Sequence, residues 1–469
     1  MASQAATETT PLKSNTVGQA TFIQQQSPVA SEGSVSDTKQ LIEQENGAVF
    51  KSGLASASFN YINSIIGSGV IGMAYALKEA GFGLGLILLV VVAVVTDYSL
   101  ILMVRSGHLS GAFSYQGIMQ AAFGRPGFIL LSFLQFFYPF IAMVSYNIVV
   151  GDTVTKVLIR MTGMSHDSAL AHRELVTLLA TLLVTLPLCL QRDVARLARV
   201  SFMSLVFVAL ILAAIIARAP YMEPLVPPVV DGWRFAKGDL VPAVGIMAFA
   251  FMCHHNTFLI YHSMEGASQK RWDTVTHISV GVSALVSFAF GAIGYATFTD
   301  WAQGDLLENY CWSDDLMNGA RVMFSATILL TYPFECFVAR EVLKNTILCG
   351  RPDTTFMHVG ISLVLVIVTL LLSMITDCLG IVLELNGILA AVPLAYLLPA
   401  LCYCKLEVGP LFSRRKLPAL LTALFGAGVA IMGTVLLILN FETASECSHG
   451  VSMSYCRILD NVTTLEVRP

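Results

Sequence analysis

Phe59-Asn60-Tyr61-Ile62-Asn63-Ser64-Ile65-Ile66-Gly67-Ser68-Gly69-Val70-Ile71-Gly72 lies inside the first long apolar run of the chain, residues 54–76, and its reading decides the fold. A run of that length suits a bilayer crossing, which needs about twenty apolar residues. As a helix it is poor: Gly67, Gly69 and Gly72 fall within six residues, beside Ser64 and Ser68. Close helix packing would place small residues every fourth position, whereas Gly67-Ser68-Gly69 points its members in different directions. The stretch therefore predicts a helix that unwinds in mid-bilayer, which is tolerated only where the backbone is buried or lines a cavity. Broken helices of transporters aim a half-helix N-terminus at an anionic group while freed carbonyls hold a cation. Here the amides of Gly67, Ser68, Gly69 and Val70 would face a carboxylate, with Asn63 and Ser64 one turn earlier.

Outward from this run, the composition agrees with a lipid environment. The 469 residues are 55% hydrophobic and 12% charged, with mean hydropathy +0.72. Soluble domains carry about 25% charged residues, so most of this surface must face lipid. A net charge of −4 offers no basic footprint for nucleic acid. The ten cysteines form no CxxC pair and no zinc-type spacing. Residues 1–50, rich in Ser, Thr, Gln and Ala, predict a disordered cytosolic tail; residues 51–440 form the membrane part and 441–469 a lumenal or extracellular tail.

Eleven windows read as spans: 54–76, 82–104, 128–155, 174–191, 199–219, 240–262, 275–299, 319–341, 356–376, 379–402 and 417–440. We number them one to eleven. With the N-terminus in the cytosol, 17 of the 27 Lys and Arg fall on the cytosolic side, in keeping with the positive-inside bias. The sequon Asn461-Val462-Thr463 adds a glycosylation site at Asn461, which works only on the lumenal side. Cytosolic start and lumenal end require an odd number of spans. Residues 106–127 predict a re-entrant segment or short surface helix, and 300–318 an acidic loop, solvated or forming a cation-concentrating mouth. Cys447 and Cys456, both in the lumenal tail, predict a disulfide, with Cys311, on the same side, as a competing partner.

Span six holds Phe249-Ala250-Phe251-Met252-Cys253-His254-His255-Asn256-Thr257. Adjacent intramembrane histidines are costly and point to function. Neighbouring helical positions project about a quarter turn apart and cannot grip one metal ion together, so Phe251, His254, His255 and Asn256 read as a polar, partly unwound wall of a cavity. Span eight places Thr327, Thr331 and Glu335 at i, i+4 and i+8 on one face. Hydroxyl oxygens on one stripe suit a hard cation; the competing reading is that each threonine bonds back to its preceding turn. Glu335, and Glu384 in span ten, are candidate proton or ion-coupling groups, although pairing is the simpler role for Glu384.

Three stretches carry a resemblance: Asn63-Ser64-Ile65-Ile66-Gly67-Ser68-Gly69, Phe251-Met252-Cys253-His254-His255-Asn256 and Leu330-Thr331-Tyr332-Pro333. Over roughly 55–460 the chain resembles the amino acid/auxin permease superfamily, and within it the sodium-coupled neutral amino acid transporters of solute carrier family 38. The resemblance implies an all-α integral membrane protein of about eleven helices. These form an inverted five-plus-five repeat, broken in helices one and six, with an eleventh helix added. It implies sodium-coupled symport of neutral amino acids, with substrate between spans one and six. Sodium, the coupling ion and no other cofactor, would sit between Asn63 and Thr331, with Thr327 one turn earlier as the alternative. Relatives usually carry Pro where Ala74 stands, a departure that bears on the outer half of span one. A plasma-membrane carrier is expected; Asp37-Thr38-Lys39-Gln40-Leu41-Ile42 has the pattern of an acidic-dileucine signal for endosomes or lysosomes. A sensor with little turnover and a proton-coupled carrier are the alternative functions.

Overall fold

In the computed structural model, which describes residues 52–163, 172–191, 201–347, 354–376, 378–439 and 453–456, the quoted stretch is not one helix. Leu54–Ile65 is helical; Ile66 and Gly67 are extended (φ −76°, ψ 96° and φ −129°, ψ −152°). A 3₁₀ turn, Ser68–Gly72, then leads into the helix Met73–Ala80. Span six breaks in the same manner: Leu240–Ala250, an irregular Phe251–Cys253, the 3₁₀ turn His254–Asn256, then Thr257–Ser263. The expected breaks at residues 67–69 and 251–256 are therefore present.

Helix fills every other predicted window, and no strand occurs among the described residues beyond an isolated bridge between Ser52 and Met264. Nine helices among them are long and apolar enough to cross a membrane. Span one falls outside that nine because its break leaves pieces of 12, 5 and 8 residues. Span four is likewise divided: Arg173–Ala180, a π turn Thr181–Thr185, and Leu186–Cys189. Pro187 has no N–H to continue the ladder, which accounts for the widened turn before it.

The segment expected to be re-entrant or surface-lying is a helix beginning at Tyr115, capped by the Ser114 hydroxyl, and running toward span three. Gly124, with φ 66° and ψ −157°, interrupts Tyr115–Thr162 and lets Pro126 start the next helix. The remaining spans are Phe82–Ser110 (two), Ser201–Met222 (five), Gln269–Phe298 (seven), Asp315–Ile347 (eight), Thr355–Ile375 (nine) and Leu417–Leu439 (eleven). Span ten, Leu379–Leu406, contains two π turns at Gly387–Ala391 and Pro393–Leu397.

The 299–314 loop corrects a sequence expectation. Asp305, Glu308 and Asp314 are buried, at 3%, 8% and 8% exposure, so this is not a solvated acidic loop. Glu308 pairs with Lys156 of span three and Asp314 with Arg218 of span five. Arg321 of span eight, fully buried, donates to the carbonyls of Leu307 (2.9 Å) and Tyr310 (2.6 Å) and to Asn318 Oδ1 (2.6 Å). Such charges survive burial because each is paired or hydrogen-bonded. The loop lies on the outer half of span one: Lys78 donates to the Ala302 carbonyl at 3.3 Å.

The disulfide also differs. Cys456 pairs with Cys311 of this loop, not with Cys447. Folding brings the two Cα atoms to 5.3 Å although 145 residues separate them, a proximity that sequence distance hides. Tyr455 holds the same junction by donating to the Asn309 carbonyl at 2.7 Å. Cys378 is disulfide-bonded as well. Cys447, Asn461 and residues 37–42 lie outside the described residues.

Candidate functional site

The two broken helices meet at their breaks. A Cβ on Gly69 would stand 2.5 Å from Ala250 Cα, so the backbones of spans one and six touch there. A Cβ on Gly67 would meet nothing within 4 Å; its unwound turn opens onto space. The adjacent glycines thus have different reasons: Gly69 permits packing and Gly67 borders a void. Val70 is buried, as is Phe251 of the facing break.

Side chains then stitch the N-terminal half of span one to the C-terminal half of span six. Tyr61 and Thr257 hydroxyls lie 2.9 Å apart, and Asn256 Nδ2 donates to Ser64 Oγ at 2.7 Å. Asn256 Nδ2 also donates to His255 Nε2 at 3.1 Å, which places the His255 proton on Nδ1. His254 takes the other tautomer. The Ser99 hydroxyl donates to the Thr96 carbonyl (2.9 Å), so its oxygen accepts from His254 Nε2 (2.8 Å). His254 Nδ1 is left a buried acceptor with no partner among the described residues. The two histidines have separate partners, and no group of three or more His, Cys, Asp or Glu able to hold a metal ion occurs among the described residues.

Asn63 and Thr331 have separate partners. The Asn63 carboxamide oxygen accepts from Ser204 of span five at 3.0 Å, and span five packs on span eight. Ser204 escaped sequence reasoning; its signal was a hydroxyl, shared with Ser201, at the start of a largely apolar window. Thr331 Oγ1 donates to the Thr327 carbonyl (2.8 Å) and Thr327 Oγ1 to the Met323 carbonyl (3.0 Å). Both hydroxyls thus bond back one turn, as the simpler reading expects. That bond uses the proton and leaves the oxygen lone pairs directed away from the helix, able to accept or to ligate.

Tyr138 and Tyr146 of span three also enter the site. The Tyr138 ring centroid is 6.0 Å from that of His255, and the Tyr146 hydroxyl lies beside Ser68 and feels its side chain. Glu335 is half-buried and acts electrostatically on both tyrosines. Glu384 stands apart, near Tyr75 and Glu79 on the loop side.

A family model described as transmembrane amino acid transporter protein matches residues 51–439. A Danio rerio protein named "Putative sodium-coupled neutral amino acid transporter 11" is 47% identical over 413 residues, covering 88% of this chain and 92% of the relative. The Homo sapiens protein of that name is 44% identical over 380 residues, covering 81% and 93%. Vacuolar amino acid transporter 2 of Saccharomyces cerevisiae is 29% identical, covering 85% and 86%. In fold, the chain is similar to MhsT in complex with L-phenylalanine (TM-score 0.51, 11% identity, covering 80% of this chain and 98% of that one). It is also similar to an Eremococcus coleocola manganese transporter (TM-score 0.52, 11% identity, covering 93% and 94%).

Proposed function

From the premise that this chain belongs to the transmembrane amino acid transporter protein family, whose members are transporters and not enzymes, we propose that it carries neutral amino acids by symport with Na⁺. The observation that carries this reading is the meeting of two broken helices. Backbone amides and carbonyls released from helical bonding at 66–69 and 251–253 are concentrated at one depth, beside open space at Gly67. Amides at Gly67 and Ser68 suit a substrate carboxylate, while Ser64, His255 and Asn256 supply polar contacts. Names of the relatives support the substrate class and the ion.

Na⁺ is assigned to Asn63, the Thr331 hydroxyl and carbonyls freed by the break, with Ser204 as an added oxygen and Thr327 as the alternative hydroxyl. The back-bonded threonine favours this role, because its lone pairs are already oriented.

Disulfides persist in oxidising compartments, so Cys311–Cys456 supports an external 299–314 loop and a cytosolic chain start. Ser68–Gly72 are buried beneath that loop, whereas Asn63, Ser64, Gly67, His255 and Asn256 are half-buried. We therefore read this conformation as closed outside and reached from the cytosol. The plasma membrane is the proposed location, with endosomes or lysosomes the alternative toward which the name of the yeast relative points.

Uptake into proteoliposomes, with Na⁺ against choline, tests the coupling. Thr331→Ala should raise the half-activating Na⁺ concentration about tenfold, as expected for one lost ligand, while substrate affinity at saturating Na⁺ stays within about twofold. Uptake indifferent to Na⁺ that follows pH, with Glu335→Gln abolishing that dependence, would instead establish proton coupling.

A further inference from the structure

Several acidic side chains have partners: Asp152 has Arg173, Glu308 has Lys156, Asp314 has Arg218 and Asp97 has His277. Glu384 and Glu335 have none among the described residues, and of these two it is Glu335 that acts on the tyrosines of the site. Among the described residues it has no hydrogen bond and no ion pair, and neither lysine nor arginine acts on it. It stands on span eight, one turn beyond Thr331, on the face shared with Thr327. That helix packs against span three, and Glu335 acts electrostatically on the Tyr138 and Tyr146 hydroxyls there. Tyr146 in turn reaches Ser68. Glu335 and the unwound turn of span one therefore flank the same tyrosine, with open space at Gly67 between the breaks.

An unpaired carboxylate in a low-dielectric setting is costly and persists where a cation completes it. Resting on the preceding reading of the site, we propose that Glu335 accepts the α-ammonium group of the amino acid whose carboxylate lies on the Gly67–Ser68 amides. The two charges of an α-amino acid are about 3 Å apart, and with a hydrogen bond of about 2.9 Å at either end the substrate bridges partners roughly 8–9 Å apart. The substrate class so defined is the zwitterion: a free α-amino group is required, and the 2-hydroxy acid bearing the same side chain is excluded. Exclusion follows from charge, since a hydroxyl would leave the carboxylate buried and uncompensated.

The test is competition for uptake by the full-length protein in proteoliposomes, comparing L-alanine, L-leucine and L-glutamine with L-lactate and L-2-hydroxyisocaproate. In the parent, amino acids should compete at least about a hundredfold better than the hydroxy acids. Glu335→Gln should weaken amino acids at least tenfold, leave the hydroxy acids unchanged or improved, and leave Na⁺ activation within about twofold. Glu335→Asp, one methylene shorter with the charge retained, should keep the preference at reduced affinity. Equal losses for both ligand classes, or a preference that survives Glu335→Gln, would overturn the assignment. So would a large shift in Na⁺ activation, or loss of pH dependence, with amino acid affinity intact. A parent that transports no amino acid defeats the preceding reading; a transporting parent whose Glu335→Gln variant discriminates as before defeats this one alone.

Discussion

Gly67 and Gly69 are two residues apart and answer to different physics. At Gly69 any side chain must displace the Ala250 backbone, a rigid neighbour. Gly69→Ala should therefore lower thermal stability in detergent, with a cost of about 1–3 kcal/mol for overpacking. Gly67→Ala should reach the membrane at the parent level, because its Cβ meets open space, and Gly67→Leu should do so while losing uptake. Surface biotinylation beside uptake separates the two positions; equal surface losses would show that both glycines serve packing. The sequence marked both residues, since three glycines in six make a poor helix, but it assigned them one role. It could not separate them because the Ala250 backbone lies 181 positions away along the chain. Ser204, Tyr138 and Tyr146 were missed for a related reason: hydroxyls scattered through apolar windows become site residues only when another helix turns them inward.

At the level of elements, each break has its own cause, and legibility followed it. Span one announces its break by glycine, span six only by the polar run His254-His255-Asn256, since Phe251-Met252-Cys253 contains no helix-breaking residue. Span ten concealed more. Its π turns begin at Gly387, where a Cβ would run into the Gly245 backbone of span six. Spans six and ten thus cross with backbones in contact, and the wide turn is the deformation that accommodates Asn386, whose side-chain amide donates to the Tyr138 carbonyl at 3.1 Å. Gly387→Val should push these helices apart. The expected result is a thermal unfolding transition lowered by several degrees together with lost uptake; an unchanged transition would deny that the crossing is close. Eleven apolar windows were readable because lipid imposes length and composition on each span, whereas crossings are set by pairs of residues that sequence does not align.

Over the whole molecule, the feature least visible in the sequence is the 299–314 loop. Five acidic residues over 300–315 read as solvated, yet the structure folds Asp305, Glu308 and Asp314 under cover and matches them with cations from three different helices. Burial, reinforced by Glu308, pushes the Asp305 carboxyl up to about 7, against the opposing pull of the Leu307 amide, Lys156 and Arg321. The folded loop therefore holds a proton that the unfolded loop has released above about 4. Its contribution to stability is full below that value and is lost as pH rises through about 7. Hydrogen exchange of residues 303–310 should accelerate between pH 6 and pH 8, beyond the intrinsic chemical rate, and Asp305→Asn should remove the excess. An exchange rate that follows the intrinsic rate alone would rule this out.

The same loop is tied to the end of the chain. Cys311 precedes span eight and Cys456 follows span eleven, so the bond closes a ring through four helices. During synthesis, Cys311 reaches its side of the bilayer long before its partner exists, and must wait while spans eight to eleven are threaded. Loss of an odd number of crossings among those helices would deliver Cys456 to the opposite face, where the two sulfurs could never meet. The crosslink is thus a covalent record of parity, written only on molecules in which an even number of the last four helices crossed.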